Sequence, residues 1–312
     1  MKTAWVTGAA GFVGRYLVRE LRNAGWATAG FDLPEAAVGD ESLERGRVED
    51  AASVRRALER CRPDAGVHLA GIASDAAAWE DPARAFAVNA EGTLNVLTEM
   101  ARAAPTARTL VVSTAHVYGD APDAGALDED APLRPGTLYG LTKLAADRAA
   151  LLFGKREGRA VIVVRPVNHI GPGQAPDFVI AAFARQLAEV AAGLRTPELR
   201  VGNLDSVRDF MDVRDTVRGY RLLLERGTPG CAYNMASGNR IRIGEALERL
   251  CAISGVRPRI VTDPARYRPT DASPELNTAR LRADTGWRPE IPLEQTLRDI
   301  YEDARARVQK PR

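Results

Sequence analysis

The sequence predicts an α/β protein with a doubly wound parallel sheet, and two observations carry this prediction. Short apolar runs alternate with amphipathic segments of helical length through the first half of the chain. A glycine-rich run follows the first apolar run directly, at residues 8–14. Central apolar runs between helices are typical of parallel strands that are covered on both faces.

The first half of the chain carries the regular part of this pattern. Strands are predicted over Thr3–Thr7, Trp26–Phe31, Ala65–Leu69, Thr109–Val112 and Ala160–Arg165. Helices are predicted over Gly11–Ala24, Ala51–Arg60, Pro82–Ala103 and Leu138–Phe153. We therefore expect a first domain over residues 1–167.

The second half has shorter and more mixed elements after a Gly/Pro-rich run at 169–174. Helices are predicted near Phe178–Ala192, Val213–Glu225, Ile243–Ser254 and Leu293–Arg307, and a strand near Leu199–Val201. We expect a smaller, mixed α/β C-terminal domain over residues 168–312. It is partly interleaved with the first domain, to which a segment near 203–236 returns.

Composition excludes several classes of protein. The 312 residues carry a formal net charge of only +2, so no strong attraction to nucleic acid or an acidic membrane is expected. No apolar stretch approaches the length of a membrane span, and no signal peptide is recognisable. Cys61, Cys231 and Cys251 lack metal-ligand spacing and are expected to be reduced thiols. These features predict a cytoplasmic protein without a metal site.

The glycine-rich run predicts a dinucleotide site. Three glycines stand at a Gly-x-x-Gly-x-x-Gly spacing between the first strand and the first helix, and the run consists of Gly8, Gly11, Phe12, Val13 and Gly14 with two alanines. Glycines permit a tight turn, close approach of a diphosphate to the backbone and packing of the helix on the sheet. The first domain is therefore expected to be a Rossmann-type NAD(P)-binding domain.

Asp32 ends the second predicted strand and bears on the choice of cofactor. A carboxylate there accepts hydrogen bonds from the adenosine ribose hydroxyls and repels a 2′-phosphate. The sequence therefore predicts a preference for NAD(H), with NADP(H) still open because Arg47 lies nearby in the sequence.

Tyr139 and Lys143 are four residues apart on a predicted helix, so they share one face. A free tyrosine titrates near pH 10, too high for ready proton exchange at neutral pH. We expect Lys143, together with the positive charge of an oxidised nicotinamide, to lower the pKa of Tyr139.

In these motifs the chain resembles the extended short-chain dehydrogenases/reductases. The run Thr285-Gly286-Trp287-Arg288-Pro289, near the end of the sequence, is typical of that whole family. Four further runs resemble its GDP-sugar branch, the bacterial GDP-6-deoxy-4-keto-mannose reductases that form GDP-rhamnose: they are Arg165–Gln174, Val201–Asn203, Ser206–Asp215 and Arg268–Asp271.

The resemblance implies further cofactor contacts, from Leu69, Ala70, Gly71 and Pro166 in addition to Tyr139 and Lys143. The family has an aspartate that contacts adenine within a Gly-Asp-Val-x-Asp run. Here the run reads Gly46-Arg47-Val48-Glu49-Asp50, so the way this chain recognises adenine is left open.

The resemblance also implies the catalytic set Thr114, Tyr139 and Lys143. Thr114 would supply the hydroxyl that binds the reacting oxygen, with Ser113 as the alternative. Related 4,6-dehydratases carry acidic residues just after this hydroxyl, where the present chain has Ala115 and His116. We expect His116 to be a wall of the substrate pocket, although a role as proton donor remains open.

The implied substrate site extends into the second half of the chain. Asn168 would bind the sugar or a diphosphate oxygen, and Arg208 and Arg268 would bind the diphosphate through forked, charge-assisted hydrogen bonds. The nucleobase pocket would be lined by Phe178, Val179 and Arg185. The alternative for Arg208 is a surface ion pair with Asp209 or Asp212.

The function predicted from the sequence is reduction of a GDP-4-keto-6-deoxy-hexose at C4 by NAD(P)H. The alternatives are a nucleotide-sugar 4-epimerase that retains NAD, a 4,6-dehydratase, and a cofactor sensor without catalysis. The resemblance further implies a homodimer that forms a four-helix bundle from the helices at 82–103 and 138–153.

Overall fold

A computed structural model of the chain describes residues 1–36, 43–119, 125–267 and 273–309. Its central sheet has seven strands in the order β10-β6-β5-β4-β1-β2-β3. All of the adjacent strands are parallel. The strands are β1 (Thr3–Thr7), β2 (Ala27–Asp32), β3 (Leu43–Arg45), β4 (Ala65–His68), β5 (Arg108–Val112), β6 (Val161–Pro166) and β10 (Ala232–Met235). The predicted fold class is confirmed.

Helices cover both faces of this sheet, and alternate residues of β1 show the division. Ala4 and Val6 pack on one face, where α1 and α8 pack against each other. Trp5 points to the other face, which α2 and α5 cover. The helices are α1 (Phe12–Asn23), α2 (Ala51–Cys61), α5 (Gly92–Ala103), α6 (Leu138–Glu157) and α8 (Val213–Arg226).

The long helix predicted over Pro82–Ala103 is confirmed, and it contains one π-helical turn. A short α3 (Asp75–Glu80) precedes α4 (Pro82–Phe86), and a π-helical turn at Ala87–Glu91 joins α4 to α5. A π-turn inserts one residue into the helical register. The turn includes Asn89, which is buried.

The remaining described elements form a second core beside the sheet. β7 (Asn168–Ile170), β9 (Val207–Asp212) and β11 (Arg240–Arg242) form a three-stranded sheet, and β8 (Glu198–Val201) pairs with β12 (Arg259–Thr262). The helices are α7 (Val179–Ala191), α9 (Ile243–Ser254), α10 (Ala279–Thr285) and α11 (Leu293–Gln309). α7, α9 and α11 pack on one another in an apolar cluster.

The chain crosses between these two parts more than once. β9 pairs with β7 in the smaller sheet, whereas β10 joins the central sheet beside β6. The division at residue 167 with a return near 203–236 stays a prediction. Among the described helices, none combines the length and apolar character needed to cross a bilayer.

Candidate active site

A cleft opens at the carboxyl ends of the central strands, and the predicted cofactor residues meet there. Its lining contains eleven of the twelve: Gly8, Gly11, Phe12, Val13, Gly14, Asp32, Leu69, Ala70, Gly71, Tyr139 and Pro166. Lys143 is not among the lining residues. The carboxyl ends of parallel strands are the usual place for a ligand in a doubly wound sheet.

The glycine loop is shaped so that only glycine fits at two of its positions. Gly8 has φ +69°, and a Cβ there would lie 3.0 Å from the amide nitrogen of Ala70. A Cβ on Gly14 would lie 2.0 Å from the carbonyl oxygen of Gly8. No side chain caps the start of α1 at Gly11, so its first amide groups remain available for a ligand anion. The loop therefore fits the diphosphate of a dinucleotide.

The Asp32 carboxylate is held at the end of β2 by two backbone amides. Its Oδ2 accepts a hydrogen bond from Ala10 N and its Oδ1 from Leu33 N, both at 2.7 Å. Each carboxylate oxygen can still accept from a ribose hydroxyl. Arg47, the cation that left NADP(H) open, is bound to Glu35 at 2.6 Å.

Thr114 and Tyr139 meet across the cleft wall. Thr114 follows β5, and Tyr139 lies in the first turn of α6, which Thr137 caps. The two side chains are hydrogen-bonded to each other, and both line the cleft. The backbone amide of Tyr139 donates to Asp75 Oδ1 at 3.2 Å, which fixes the start of the helix.

The pKa of Tyr139 is shifted upward in the protein, because burial outweighs the lowering effect of the hydrogen bond with Thr114. The lowering of the Tyr139 pKa that is expected from Lys143 and an oxidised nicotinamide is therefore not seen in the protein without its cofactor. A tyrosine with a raised pKa is protonated at neutral pH. Tyr139 therefore carries its proton in the structure as described, but the raised pKa makes it a weaker acid than a free tyrosine.

Lys143 is buried one turn further along α6, and its Nζ donates to the carbonyl oxygen of Val112. Lys143 lies beside Gly71, one of the predicted cofactor residues. Its Nζ is 3.8 Å from the point that a Cβ on Gly71 would occupy. Burial lowers the pKa of Lys143 to about 8, and the charge of Asp147 opposes this effect.

Asn89 was missed by sequence reasoning. Its Oδ1 accepts from Ile72 N at 2.8 Å, and its Nδ2 donates to the Thr142 hydroxyl at 2.9 Å. Asn89 thereby connects the loop after β4 to α6. A polar residue at a buried helix position was the one signal available.

Ser113 and His116 flank Thr114 in the cleft. Within the described part of the chain, the buried Ser113 hydroxyl has no hydrogen-bond partner. Ser113 therefore remains the alternative to Thr114 as the hydroxyl that binds the reacting oxygen. The His116 ring lies edge-on to Tyr139, with ring centroids 5.8 Å apart. This placement suits the expected wall, and its role stays a prediction.

Three of the predicted substrate residues lie in the cleft lining: Asn168, Phe178 and Val179. Arg185 does not, so its predicted role at the nucleobase has no support from the cleft lining and stays a prediction. It is exposed and bonds to Glu189 at 2.8 Å along the surface of α7. It lies six residues beyond Val179, about one and two-thirds turns, which turns it away from the cleft.

Arg208 is buried in β9 and does not line the cleft, and its Nη1 donates to the carbonyl oxygen of Val207 at 2.9 Å. The two carboxylates proposed as surface partners have other hydrogen bonds: Asp209 accepts from Ser237, and Asp212 accepts from Arg214. Its role towards a diphosphate stays a prediction. Arg268 lies outside the described residues.

The polar lining residues that the sequence predictions did not assign include Arg84, His169 and Gln174. The His169 ring stacks on Phe12 with centroids 6.4 Å apart, and burial lowers its pKa to about 4, so it is neutral. Its Nδ1 and Gln174 Oε1 are buried and have no partner among the described residues. Such acceptors become visible only once the fold is known.

Comparison with known proteins agrees with this geometry. The chain is 39% identical over 308 residues to the GDP-6-deoxy-D-mannose reductase of Pseudomonas aeruginosa, covering 98% of each chain. Its structure is similar to that of an RMD from Pseudomonas aeruginosa complexed with NADPH, with a TM-score of 0.88, 38% identity and coverage of 98% of this chain and 100% of that one.

A second solved structure is the UDP-glucose 4-epimerase of Thermus thermophilus in complex with NAD. It matches with a TM-score of 0.86 and 29% identity, and the match covers 97% of this chain and 99% of that one. Residues 4–236 match the model of the NAD dependent epimerase/dehydratase family. The glycine cradle, Asp32 and the Thr114–Tyr139 pair are thus explained together: the chain belongs to the NAD dependent epimerase/dehydratase family.

Proposed function

We propose that the chain reduces the 4-keto group of a GDP-4-keto-6-deoxy-hexose with NAD(P)H, giving a GDP-6-deoxy-hexose such as GDP-rhamnose. The observation that carries this proposal is the placement of the Tyr139 phenol beside Thr114 in the lining of the cofactor cleft. Reduction of a ketone needs a proton donor there. The 39% identity to a GDP-6-deoxy-D-mannose reductase supports the same reaction.

The side chains divide the work as follows. Thr114 and Tyr139 donate hydrogen bonds to the keto oxygen and so stabilise the negative charge that develops on it. Tyr139 then transfers its proton to that oxygen, which becomes the 4-hydroxyl. The Lys143 ammonium holds the hydroxyls of the nicotinamide ribose. When bound, the cofactor supplies the hydride that adds to C4.

The positions of the carboxylates in the cleft, which lie away from Tyr139, support reduction over water elimination. Within the described lining there are two, Asp32 and Glu49, and both lie towards the end of β2 and β3. Beside Tyr139 the lining has Ala115 and His116 instead. A 4,6-dehydratase needs groups that take a proton from C5 and protonate the leaving hydroxyl.

The experiment is incubation of the purified enzyme with GDP-4-keto-6-deoxy-mannose and NADH or NADPH, with the product analysed by NMR. A reductase consumes one reduced cofactor for each keto group that is lost. A 4-epimerase carries tightly bound NAD and converts its substrate without added cofactor. That behaviour would overturn the proposal in favour of the epimerase alternative.

We further propose a homodimer through α5 and α6. Three large apolar side chains on these helices are exposed in the single chain: Leu94, Leu141 and Leu152. Exposed apolar side chains grouped on neighbouring helices are typical of an interface. Leu152→Glu should shift the sedimentation coefficient to that of a monomer.

The proposed compartment is the cytoplasm, because all three cysteines are free thiols.

A further inference from the structure

A buried histidine lies beneath the cofactor cleft, and both nitrogens of its ring meet a threonine hydroxyl. His68 is the last residue of β4. Its Nδ1 is 2.7 Å from Thr7 Oγ1, and its Nε2 is 3.1 Å from Thr93 Oγ1. None of these three residues belongs to the described lining of the cleft. His68 can therefore act on a ligand only through its neighbours.

The partners of the two hydroxyls decide which ring nitrogen of His68 carries the hydrogen. Thr93 donates its single hydroxyl hydrogen to the carbonyl oxygen of Asn89 at 2.6 Å, so it must accept from His68 Nε2. Burial and the charge of Lys143 lower the pKa of His68 to about 3, so the ring is neutral at pH 7 and has one N–H. Its Nδ1 is therefore an acceptor, to which Thr7 donates.

One end of this series of hydrogen bonds lies at the cofactor loop. The Thr7 hydroxyl, whose hydrogen goes to His68, accepts from the backbone amide of Ala70 at 3.1 Å. Thr7 directly precedes Gly8, and the Ala70 nitrogen would lie 3.0 Å from a Cβ on Gly8. The Thr7 hydroxyl thus holds together two backbone segments, at Gly8 and Ala70, that line the cleft.

The other end of the series lies at α6. Asn89, which accepts from Thr93 at its carbonyl oxygen, donates through Nδ2 to the buried Thr142 hydroxyl at 2.9 Å. Thr142 donates in turn to the carbonyl oxygen of Tyr139 at 2.8 Å, and it directly precedes Lys143. Each of these hydroxyls therefore donates towards α6, and the series ends on the turn that carries Tyr139 and Lys143.

We propose that His68, as its Nε2–H tautomer, is a positioning residue that fixes the spacing between the glycine loop and the helix that carries Tyr139 and Lys143. The opposite tautomer would either set two acceptors against each other at Thr93 or withdraw the Thr93 hydrogen from Asn89. The inference deepens the proposed function, on which its effect on turnover rests. The cofactor binds the loop and the keto sugar meets Tyr139, so their spacing controls hydride transfer.

Two variants cut the series on either side of His68, because valine keeps the shape of threonine and lacks its hydroxyl. Thr93→Val removes the link to α6 and should lower kcat for the keto sugar about tenfold, with NADH affinity changed by less than about twofold. Thr7→Val removes the link to the loop and should weaken NADH binding about tenfold, with kcat at saturating NADH lowered by less than about threefold. Nicotinamide fluorescence measures the NADH affinity.

Thr285→Val is the matched control, since Thr285 is buried on α10 outside the cleft lining. Like Thr93, Thr285 donates at 2.6 Å to the carbonyl oxygen four residues earlier, and it accepts at 3.1 Å from Trp287 N. Thr285→Val should therefore lower the Tm about as much as Thr93→Val, while kcat and NADH affinity stay at the wild-type values. Wild-type kinetics in Thr93→Val as well would limit the series to stability and overturn the inference.

The tautomer is measured separately, without the sugar. His68 is one of three histidines, and long-range ¹H–¹⁵N NMR of protein labelled with ¹⁵N-histidine shows which ring nitrogen carries the hydrogen. The His68 signals are those that are lost in His68→Gln and that shift in Thr93→Val. We expect the hydrogen on Nε2, and a hydrogen on Nδ1 would overturn the inference. If the wild-type enzyme does not reduce the keto sugar, the proposed function fails, while the tautomer and the NADH affinity of Thr7→Val still decide the inference.

Discussion

The Arg165 guanidinium donates two hydrogen bonds, of 2.9 and 3.0 Å, to the carboxylate of Asp147, and both side chains are almost fully buried. Asp147 lies one turn beyond Lys143 on α6, and Arg165 lies on β6. Arg165 also donates to the Tyr118 hydroxyl and the Glu129 carbonyl oxygen. The Arg165–Asp147 pair therefore fixes α6 to the central sheet.

Asp147→Asn should lower the free energy of unfolding by about 3–5 kcal/mol, because it leaves a buried guanidinium without its counter-charge. Urea denaturation measures this. The matched control is Glu189→Gln, which breaks the exposed pair with Arg185 and should cost less than about 1 kcal/mol. Equal losses in the two variants would contradict the anchoring role.

The enzyme should prefer NADH to NADPH, because the fixed Asp32 carboxylate is expected to bind the ribose hydroxyls and Arg47 is paired with Glu35. The ratio of the kcat/KM values for the two cofactors decides this. Asp32→Ser should raise the relative use of NADPH. A wild-type preference of about tenfold or more for NADPH would mean that a cation near the 2′-position outweighs Asp32.

The pH dependence of kcat/KM for NADH should report Lys143. Burial lowers its pKa to about 8, so the ammonium that we propose to hold the cofactor ribose is present below that pH and is lost as pH rises through it. We therefore expect kcat/KM to fall above about pH 8. Asp147→Asn removes a negative charge beside Lys143 and should move this fall to lower pH. A flat profile to about pH 9.5 would contradict the assignment.

Arg208→Gln should weaken GDP binding by about 2–3 kcal/mol if Arg208 makes a buried, charge-assisted contact with the diphosphate. Isothermal titration calorimetry measures this without turnover, and thermal melting checks that the variant folds. Arg185→Gln, on the exposed side of α7, is the matched control and should leave GDP affinity unchanged. An unchanged affinity in Arg208→Gln would confine Arg208 to the packing of β9.

The sequence predicts the parts of this molecule that depend on local pattern. Strands such as β6 are recognisable because Val161–Val164 form an unbroken apolar run, and the whole strand is buried. The glycine loop and the pair Tyr139 and Lys143 have fixed spacings, so they could be located from the sequence alone. Strands as short as β7 have too few residues for a pattern.

The features that sequence reasoning missed depend on tertiary contacts. The apolar periodicity runs on through the π-turn at Ala87–Glu91, so it gives no sign that Asn89 turns inward. The exposed position of Arg185 follows from the helical phase of α7, which the residues near Val179 do not reveal. The buried atoms of His169 and Gln174 that lack a partner among the described residues become recognisable only once the surrounding hydrogen bonds are known.

The central claim is that Tyr139 delivers the proton, and Tyr139→Phe tests it most directly because it removes the hydroxyl and keeps the ring. The measurement is kcat for reduction of GDP-4-keto-6-deoxy-mannose, alongside NADH and GDP affinities and the variant His116→Ala. The account predicts a fall of about 10² to 10⁴-fold in kcat for Tyr139→Phe with both affinities nearly unchanged, and a loss of less than about tenfold for His116→Ala. A mild effect of Tyr139→Phe together with loss of turnover in His116→Ala would contradict it.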